Sequence, residues 1–329
     1  MKKKEYFKYS SYKEVPTEDL HLVIKEGSVG VNKLEKIQKI MKIVSLVLIY
    51  VFLAFMALII ILPFYWMLIT SLKTTEEIRA TTQTFFPATV MWSNYVEVFR
   101  HFDFITYLIN TLVVGIISTL GTLITTIFAA FAFARLNFKG KEAMFMVLLA
   151  TMMIPGEMMV ITNYITMNNL GLIPIKGQTA IQAFTVMILP FLSSVFYIYL
   201  LRQNFLQIPN ELYFSSKVDG KSDWQYLWKV MVPLAAPTLI TITILSLIGS
   251  WNAYVWPNTA VKNDNYWLIS VAMRGTALEI EDPLQPQVFK IQNSWTMVAS
   301  TLTVLPLLIL FIIFRKYIMK GTGRAGIKG

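Results

Sequence analysis

The chain of 329 residues is 55% hydrophobic and 15% charged, with a mean hydropathy of +0.56. So little charge cannot cover a water-soluble body of this size, and the composition points to a lipid-facing surface. The absence of cysteine excludes disulfides, thiolate metal sites and cysteine catalysis, and two histidines, His21 and His101, leave little for a His-based metal centre or triad.

Residues 1–42 form a basic tail with ten of the 29 lysines and arginines. Val31, Leu34, Ile37, Ile40 and Met41 recur at helical spacing, with Lys33, Lys36, Lys39 and Lys42 among them. Two readings stay open: a basic amphipathic helix on the inner leaflet, or a lysine-rich anchor for the first span. A bilayer core about 30 Å thick takes roughly 20 apolar residues as helix. Ile43–Leu62 meets this, and it is too long and too far from the start to be a cleaved signal peptide. Five more spans are expected at about Ile105–Ala134, Ala143–Ile161, Thr179–Leu201, Pro237–Trp256 and Trp295–Phe314. These are continuous apolar runs, not alternating ones, so helices and not strands are expected. Trp66 and Trp295 are expected as headgroup anchors at span ends.

The expected organisation is a cytoplasmic tail (1–42), a six-helix transmembrane domain (43–320) with a large loop at 202–233, and a short C-terminal tail (321–329). With six spans, 22 of the basic residues fall on one side and seven on the other. The richer side is expected to be cytoplasmic, with both termini inside. The net charge of +10 is therefore a topology signal and not a nucleic-acid footprint.

Most of the chemistry lies in the loop between spans four and five. Pro209 suits the first turn of a short helix, with Asn210 and Glu211 at its positive end. Asp219-Gly220 reads as the turn that ends it. Ser222 and Asp223 can cap a second helix to about Val230, and Pro233 and Pro237 bracket re-entry into the membrane. Leu212, Tyr213, Phe214, Trp224, Tyr226 and Trp228 are knobs for a partner or for the protein's own helix ends.

This loop resembles that of permease subunits of bacterial ABC importers of the carbohydrate-uptake type, typified by maltose importers. The resemblance lies in Ile208-Pro209-x-Glu211-Leu212, Asp219-Gly220, and Pro233 with Pro237. It extends to Ala132 through Gly140, Met153-Ile154-Pro155, Trp251-Asn252 and the ending Lys320-Gly321 through Gly329. The ordered set covers most of the chain from about Ile43. It implies an all-α, type I ABC importer-like permease of six transmembrane helices in a bacterial cell membrane. It further implies a second homologous permease, a dimer of ATPase subunits and an extracytoplasmic substrate-binding protein as partners, with no nucleic acid. The ATPase-coupling residues implied are Glu211, Leu212, Tyr213, Phe214, Ser215, Ser216, Asp219 and Gly220. The family usually carries Glu-Ala-Ala where this chain has Phe214-Ser215-Ser216, so docking is expected to rest on apolar contact or on Glu211.

No G-x-x-x-x-G-K-[ST] run is present, so ATP and Mg are expected on the partner ATPase, with no cofactor, metal or catalytic residue on this chain. Gly321-x-Gly323-x-x-Gly326 mimics a dinucleotide fingerprint but lacks the preceding strand. Glu157, Asn110 and Asn252 are candidates for a substrate pathway, weighed against helix packing for the asparagines and an outer headgroup position for the carboxylate. The outer loops 70–104 and 258–293 are long enough to meet a binding protein, and Glu279 to Pro283 reads as acidic and turn-like. Sugar or oligosaccharide import is the expected function. Glycerol phosphate or its diesters form the alternative substrate class, and a stand-alone channel or secondary carrier the alternative of another kind.

Overall fold

A computed structural model describes residues 17–174, 176–274, 279–282, 285–291 and 293–323, with backbone alone at 17–35, 279–282, 285–291 and 316–323. The chain divides into two units, Met1–Tyr65 and Trp66–Gly329. The described part of the first is all helix, the body of α1 (Thr17–Ser71), which passes residues 42 and 43 without a break. From Ile43 to Leu62 every side chain except Met56 is exposed. A helix apolar on all sides is stable in hydrocarbon and not in water. Val31 and Leu34 lie among the residues described by backbone alone, and Ile37, Ile40 and Met41 are exposed.

The second unit begins at the end of α1. Short helices α2 (Thr75–Arg79) and α3 (Ser93–His101) lead into α4 (Phe104–Arg135), a span of 32 residues capped by Asp103, which accepts from the Thr106 amide. Next come α5 (Lys141–Thr151) and α6 (Met159–Asn169), then α7 (Ala180–Ile188) and α8 (Val195–Leu206). The expected third and fourth spans are therefore not continuous. The first pair bends by 80° and the second by 50°. Pro155-Gly156 and Pro190 account for this, since proline lacks the amide that the helix ladder needs and clashes with the preceding turn. Pro306, by contrast, sits inside the unbroken α15 (Asn293–Gly323).

After α8 come α9 (Asn210–Val218), α10 (Asp223–Tyr226), a π turn (Leu227–Met231) and α11 (Val232–Leu234). The arm from Asp223 to Leu234 meets α12 (Ala236–Trp251) at 77°. The fifth span thus stops at Trp251, five residues short of the expectation, and Trp256 belongs to α13 (Val255–Ala260). A last short helix, α14 (Ile269–Ala272), precedes a two-stranded antiparallel hairpin, β1 (Glu279–Asp282) with β2 (Gln285–Ile291). Glu279–Asp282 is therefore strand and not turn, while Pro283 lies outside the described residues. With three long apolar helices and three bent pairs, each pair counted as one span, the chain is a six-span membrane protein, helical among the described residues apart from this hairpin.

The polar groups of the broken spans are answered from α4. Thr122 and Thr125 hydroxyls donate to the carbonyls of Phe191 and Leu192, at the break between Phe191 and Val195. Gly121 lies against the Leu192 side chain so closely that a Cβ there would collide with it. Thr119 and Ser246 join α4 to α12 at 3.0 Å. Buried hydroxyls thus lock the bundle where no water can serve the backbone.

Of the two expected headgroup anchors, one is covered by packing and the other only partly. Trp295 is buried with its ring 4.8 Å from His101, and Trp66 is half-buried with the Lys73 ammonium 4.9 Å above it. His101 belongs to α3, where its Nδ1 lies 3.0 Å from the Glu97 carbonyl. Gly321 and Gly323 end α15, with no strand before them, and residues 324–329 lie outside the described residues.

Candidate functional site

At the end of the second unit that carries Arg135, Arg202 and Lys217, α9 forms a short projecting helix. Its start is set by Pro209, which takes the cap position itself and leaves Asn210 as the first helical residue. Its end is a Schellman motif: the Lys221 amide donates to the Ser216 carbonyl at 2.9 Å and the Gly220 amide to Lys217 at 3.0 Å. Gly220 takes φ +73°, the left-handed conformation that this closure needs. Nothing lies within 4 Å of a Cβ built there, so backbone conformation and not space selects glycine. Two residues on, Ser222 and Gln225 form a reciprocal capping box that starts α10.

Two clusters hold α9 in place. The first is Arg135, the last residue of α4. Its guanidinium donates to the Phe205 carbonyl at 2.9 Å, to the Ile208 carbonyl and to Asn210 Oδ1. The last carbonyls of α8 have no partner within their helix, and a cation is favoured there by the helix dipole. One forked side chain therefore fastens α4, the end of α8 and the start of α9 together. Nearby, the buried Arg202 of α8 donates to the Phe133 carbonyl at 3.1 Å, pairs with Glu142 at 3.2 Å and stacks on Phe145 at 4.0 Å.

The second cluster clasps α9 to α10. Asp223 accepts from the Tyr213 hydroxyl at 3.0 Å and from the Lys217 ammonium at 2.8 Å. Lys217 holds the Asp223 carboxyl below its ordinary value. Burial first, and then the bond to Asp223, push the Tyr213 phenol up, and Asp223 pushes Lys217 up. Tyr213 also packs edge-on against the buried Tyr226, 5.1 Å between ring centroids.

The expected coupling residues divide by face. Tyr213 and Ser216 turn inward, whereas Glu211, Leu212, Phe214, Ser215, Asp219 and Gly220 are exposed. Phe214 is 63% exposed and Val218, one turn further on, 88%. With Glu211 they share one helix face. Val218 is not among the expected coupling residues, although its i+4 spacing from Phe214 is a signal that the sequence carries. Arg135 and Arg202 count only as loop charges until their partners are known.

The three pathway candidates do not converge on α9. Glu157 is exposed in the 3-10 turn Gly156–Met158, at the break between α5 and α6. Asn110 is buried and donates to the carbonyls of Asn265 at 2.9 Å and Trp267 at 3.1 Å. Asn252 is exposed and donates back to the Ile248 carbonyl at 3.0 Å.

Residues 28–324 match the family described as the binding-protein-dependent transport system inner membrane component. The arabinooligosaccharides transport system permease protein AraQ of Bacillus subtilis (strain 168) is 26% identical over 83% of this chain and 92% of its own length. The diacetylchitobiose uptake system permease protein NgcG of Streptomyces coelicolor is 25% identical over 79% of this chain and 82% of its own. A solved bacterial ABC transporter involved in the import of the acidic polysaccharide alginate has a chain of the same fold. Its TM-score is 0.71 at 23% identity, covering 82% of this chain and 95% of that one.

Proposed function

We propose a function for this chain from one premise: it belongs to the family of binding-protein-dependent transport system inner membrane components. The chain is a membrane-spanning permease subunit of an ATP-driven importer, and its cargo is a sugar or oligosaccharide. The relatives named for arabinooligosaccharide and diacetylchitobiose transport favour that cargo over glycerol phosphate. A substrate-binding protein delivers the cargo on the outer side, and a second homologous permease completes the membrane pathway. A dimer of ATPase subunits supplies the power from the cytoplasm, where both termini lie.

The observation that carries the proposal is the construction of α9. A nine-residue helix that exposes Phe214 and Val218 is costly to leave in water, yet two polar clusters hold it rigidly outward. This is the arrangement of a lever: an outer face for a partner, and an inner side bolted through Arg135 to a 32-residue span. In this reading Glu211, Leu212, Phe214, Ser215 and Val218 meet the ATPase. Tyr213, Ser216, Asp219 and Gly220 keep the helix in shape. Glu157, exposed at the break of the third span, is the proposed pathway residue, and Asn110 and Asn252 support the walls.

Co-expression of the tagged chain with its genomic neighbours, gentle solubilisation and identification of what copurifies tests the proposal. An ATPase and a second permease are expected, with sugar uptake by the reconstituted complex. Recovery of the folded chain alone, with solute passing without ATP, would favour a channel or carrier instead.

A further inference from the structure

Beside α9 lies an aromatic cluster that the lever does not use. Phe128 of α4 stacks on Trp224 with ring centroids 5.7 Å apart and planes at 20°, and meets Trp228 edge-on at 6.2 Å. The two indoles lie 5.7 Å from each other. Trp224 is 61% exposed, while the other side of the same arm, Tyr226, Leu227 and Met231, is fully buried. Leaving two indoles and a phenyl ring in water costs free energy that nothing in this arm recovers.

We propose that the Asp223–Leu234 arm is an interfacial anchor, with Trp224, Trp228 and Phe128 seated in a phospholipid surface at the boundary between headgroups and acyl chains. Three observations select lipid as the occupant. First, the cluster continues a lipid face: Ile117, Leu120 and Ile124 of α4 are exposed and lie on one helical stripe that ends at Phe128. Second, the arm meets α12 at 77°, which lays it across the direction of the spans and near the bilayer plane. Third, the next positions round the helix are polar: Gln225 and Lys229 are exposed, and Lys221 flanks the start. Indole below and ammonium above is the gradient of a membrane interface, where aromatic rings settle about 5–10 Å into the boundary and lysines reach for phosphate. The inference rests on the chain spanning a bilayer, and is independent of the cargo and of whether α9 meets an ATPase.

Because the chain has no cysteine, a single introduced one is a unique spin-label site. The full chain is labelled at Trp224→Cys, with Ile124→Cys and Lys217→Cys as the deep and aqueous references. It is reconstituted in phosphatidylglycerol–phosphatidylcholine vesicles, and the access of oxygen and of a water-soluble nickel chelate is measured. The Trp224 label is expected to be open to oxygen and to meet nickel several-fold less than the Lys217 label, at a depth shallower than the Ile124 label. Nickel access equal to that at Lys217 would overturn the proposal by placing the arm in water. Exclusion of both reagents would overturn it by placing the arm under protein. Should Trp224→Cys fail to insert, Gln225→Cys and Lys229→Cys carry the same test at exposed positions. Intermediate nickel access at both supports the anchor, and full access at both contradicts it.

Discussion

The two ends of the Trp66–Gly329 unit are fastened by different chemistry. At the α9 end the fasteners are cations: Arg135 on the carbonyls of Phe205 and Ile208, and Arg202 on Phe133 and Glu142. At the other end most are neutral amides, the exception being the buried Lys73, whose ammonium donates to the Thr84 carbonyl. Asn110 donates to Asn265 and Trp267, Gln178 to Leu172 and Ala260, and Asn94 to Ser71 and Lys73. Gln178 also accepts from the Lys262 amide, and the Trp256 indole donates to Val186. Both sets answer backbone carbonyls with side-chain donors, but an arginine brings several donors in one plane. The amide end is expected to act as a static seam, whereas the arginine end joins three helices through one side chain and is suited to move them as a body.

The largest effect is expected where the lever is shaped. Gly220→Pro fixes φ near −65° where +73° is required and removes the amide that donates to Lys217. ATP-driven uptake should vanish while membrane insertion, read by fractionation, is unchanged. Normal uptake would remove α9 from the mechanism.

Arg135→Ala comes next. Bonds from a charged donor contribute about 1.5–3 kcal/mol each, so losing those to Phe205 and Ile208 should lower coupled uptake by roughly a hundredfold or more. Arg135→Lys keeps the charge without the fork and should recover only part. If ATP hydrolysis by the assembled complex persists while uptake is lost, the side chain transmits motion. Equal loss of both would reduce it to a folding role.

At the amide end, Asn110→Leu leaves two carbonyls unanswered at a cost of about 1–3 kcal/mol. The expected result is a lower thermal midpoint of the purified complex with ATP-to-sugar coupling intact, which would confirm the static role of that seam. Loss of coupling at unchanged stability would contradict it and restore Asn110 to the pathway.

Much of this plan was legible in the sequence because it is set by length and punctuation. Six apolar runs of span length, the Asp219-Gly220 stop and the Ser222 cap are local signals, and each marks a feature of the fold. Pro155 and Pro190 were equally visible, but their effect was not: Pro306 leaves α15 unbroken, so a proline alone does not decide between a break and a continuous helix. The fates of Trp66, Trp295 and Lys73 were hidden for another reason. A tryptophan at a span end reads as an anchor until tertiary packing covers it, and Lys73 reads as an outer-loop charge although it is fully buried. The division of labour between Arg135 and Phe214 depends on contacts across 70 to 75 residues, which no local pattern records.

The smallest effect is expected from the α9–α10 clasp. Asp223 is lowered from an ordinary value of 3.8, so its contribution is present above that value and is lost as pH falls through the lower folded one. Lys217 and Tyr213 are raised from 10.5 and 10.0, so theirs are present below those values and lost as pH rises through the higher folded ones. Amide protection in α9, corrected for intrinsic exchange, should therefore be flat from about pH 5 to pH 9 and fall in acid. Asp223→Asn should remove the acid dependence. A change of protection inside that window would mean that another group controls the helix.

The central claim is that the exposed face of α9 meets an ATPase. A photo-crosslinking amino acid in place of Phe214, in cells that express the chain with its genomic neighbours, tests it at the residue concerned. An adduct with an ATPase subunit is predicted, and it should be lost when Gly220→Pro is added. An inserted chain that forms no adduct, or one only with a protein that does not hydrolyse ATP, would contradict the account.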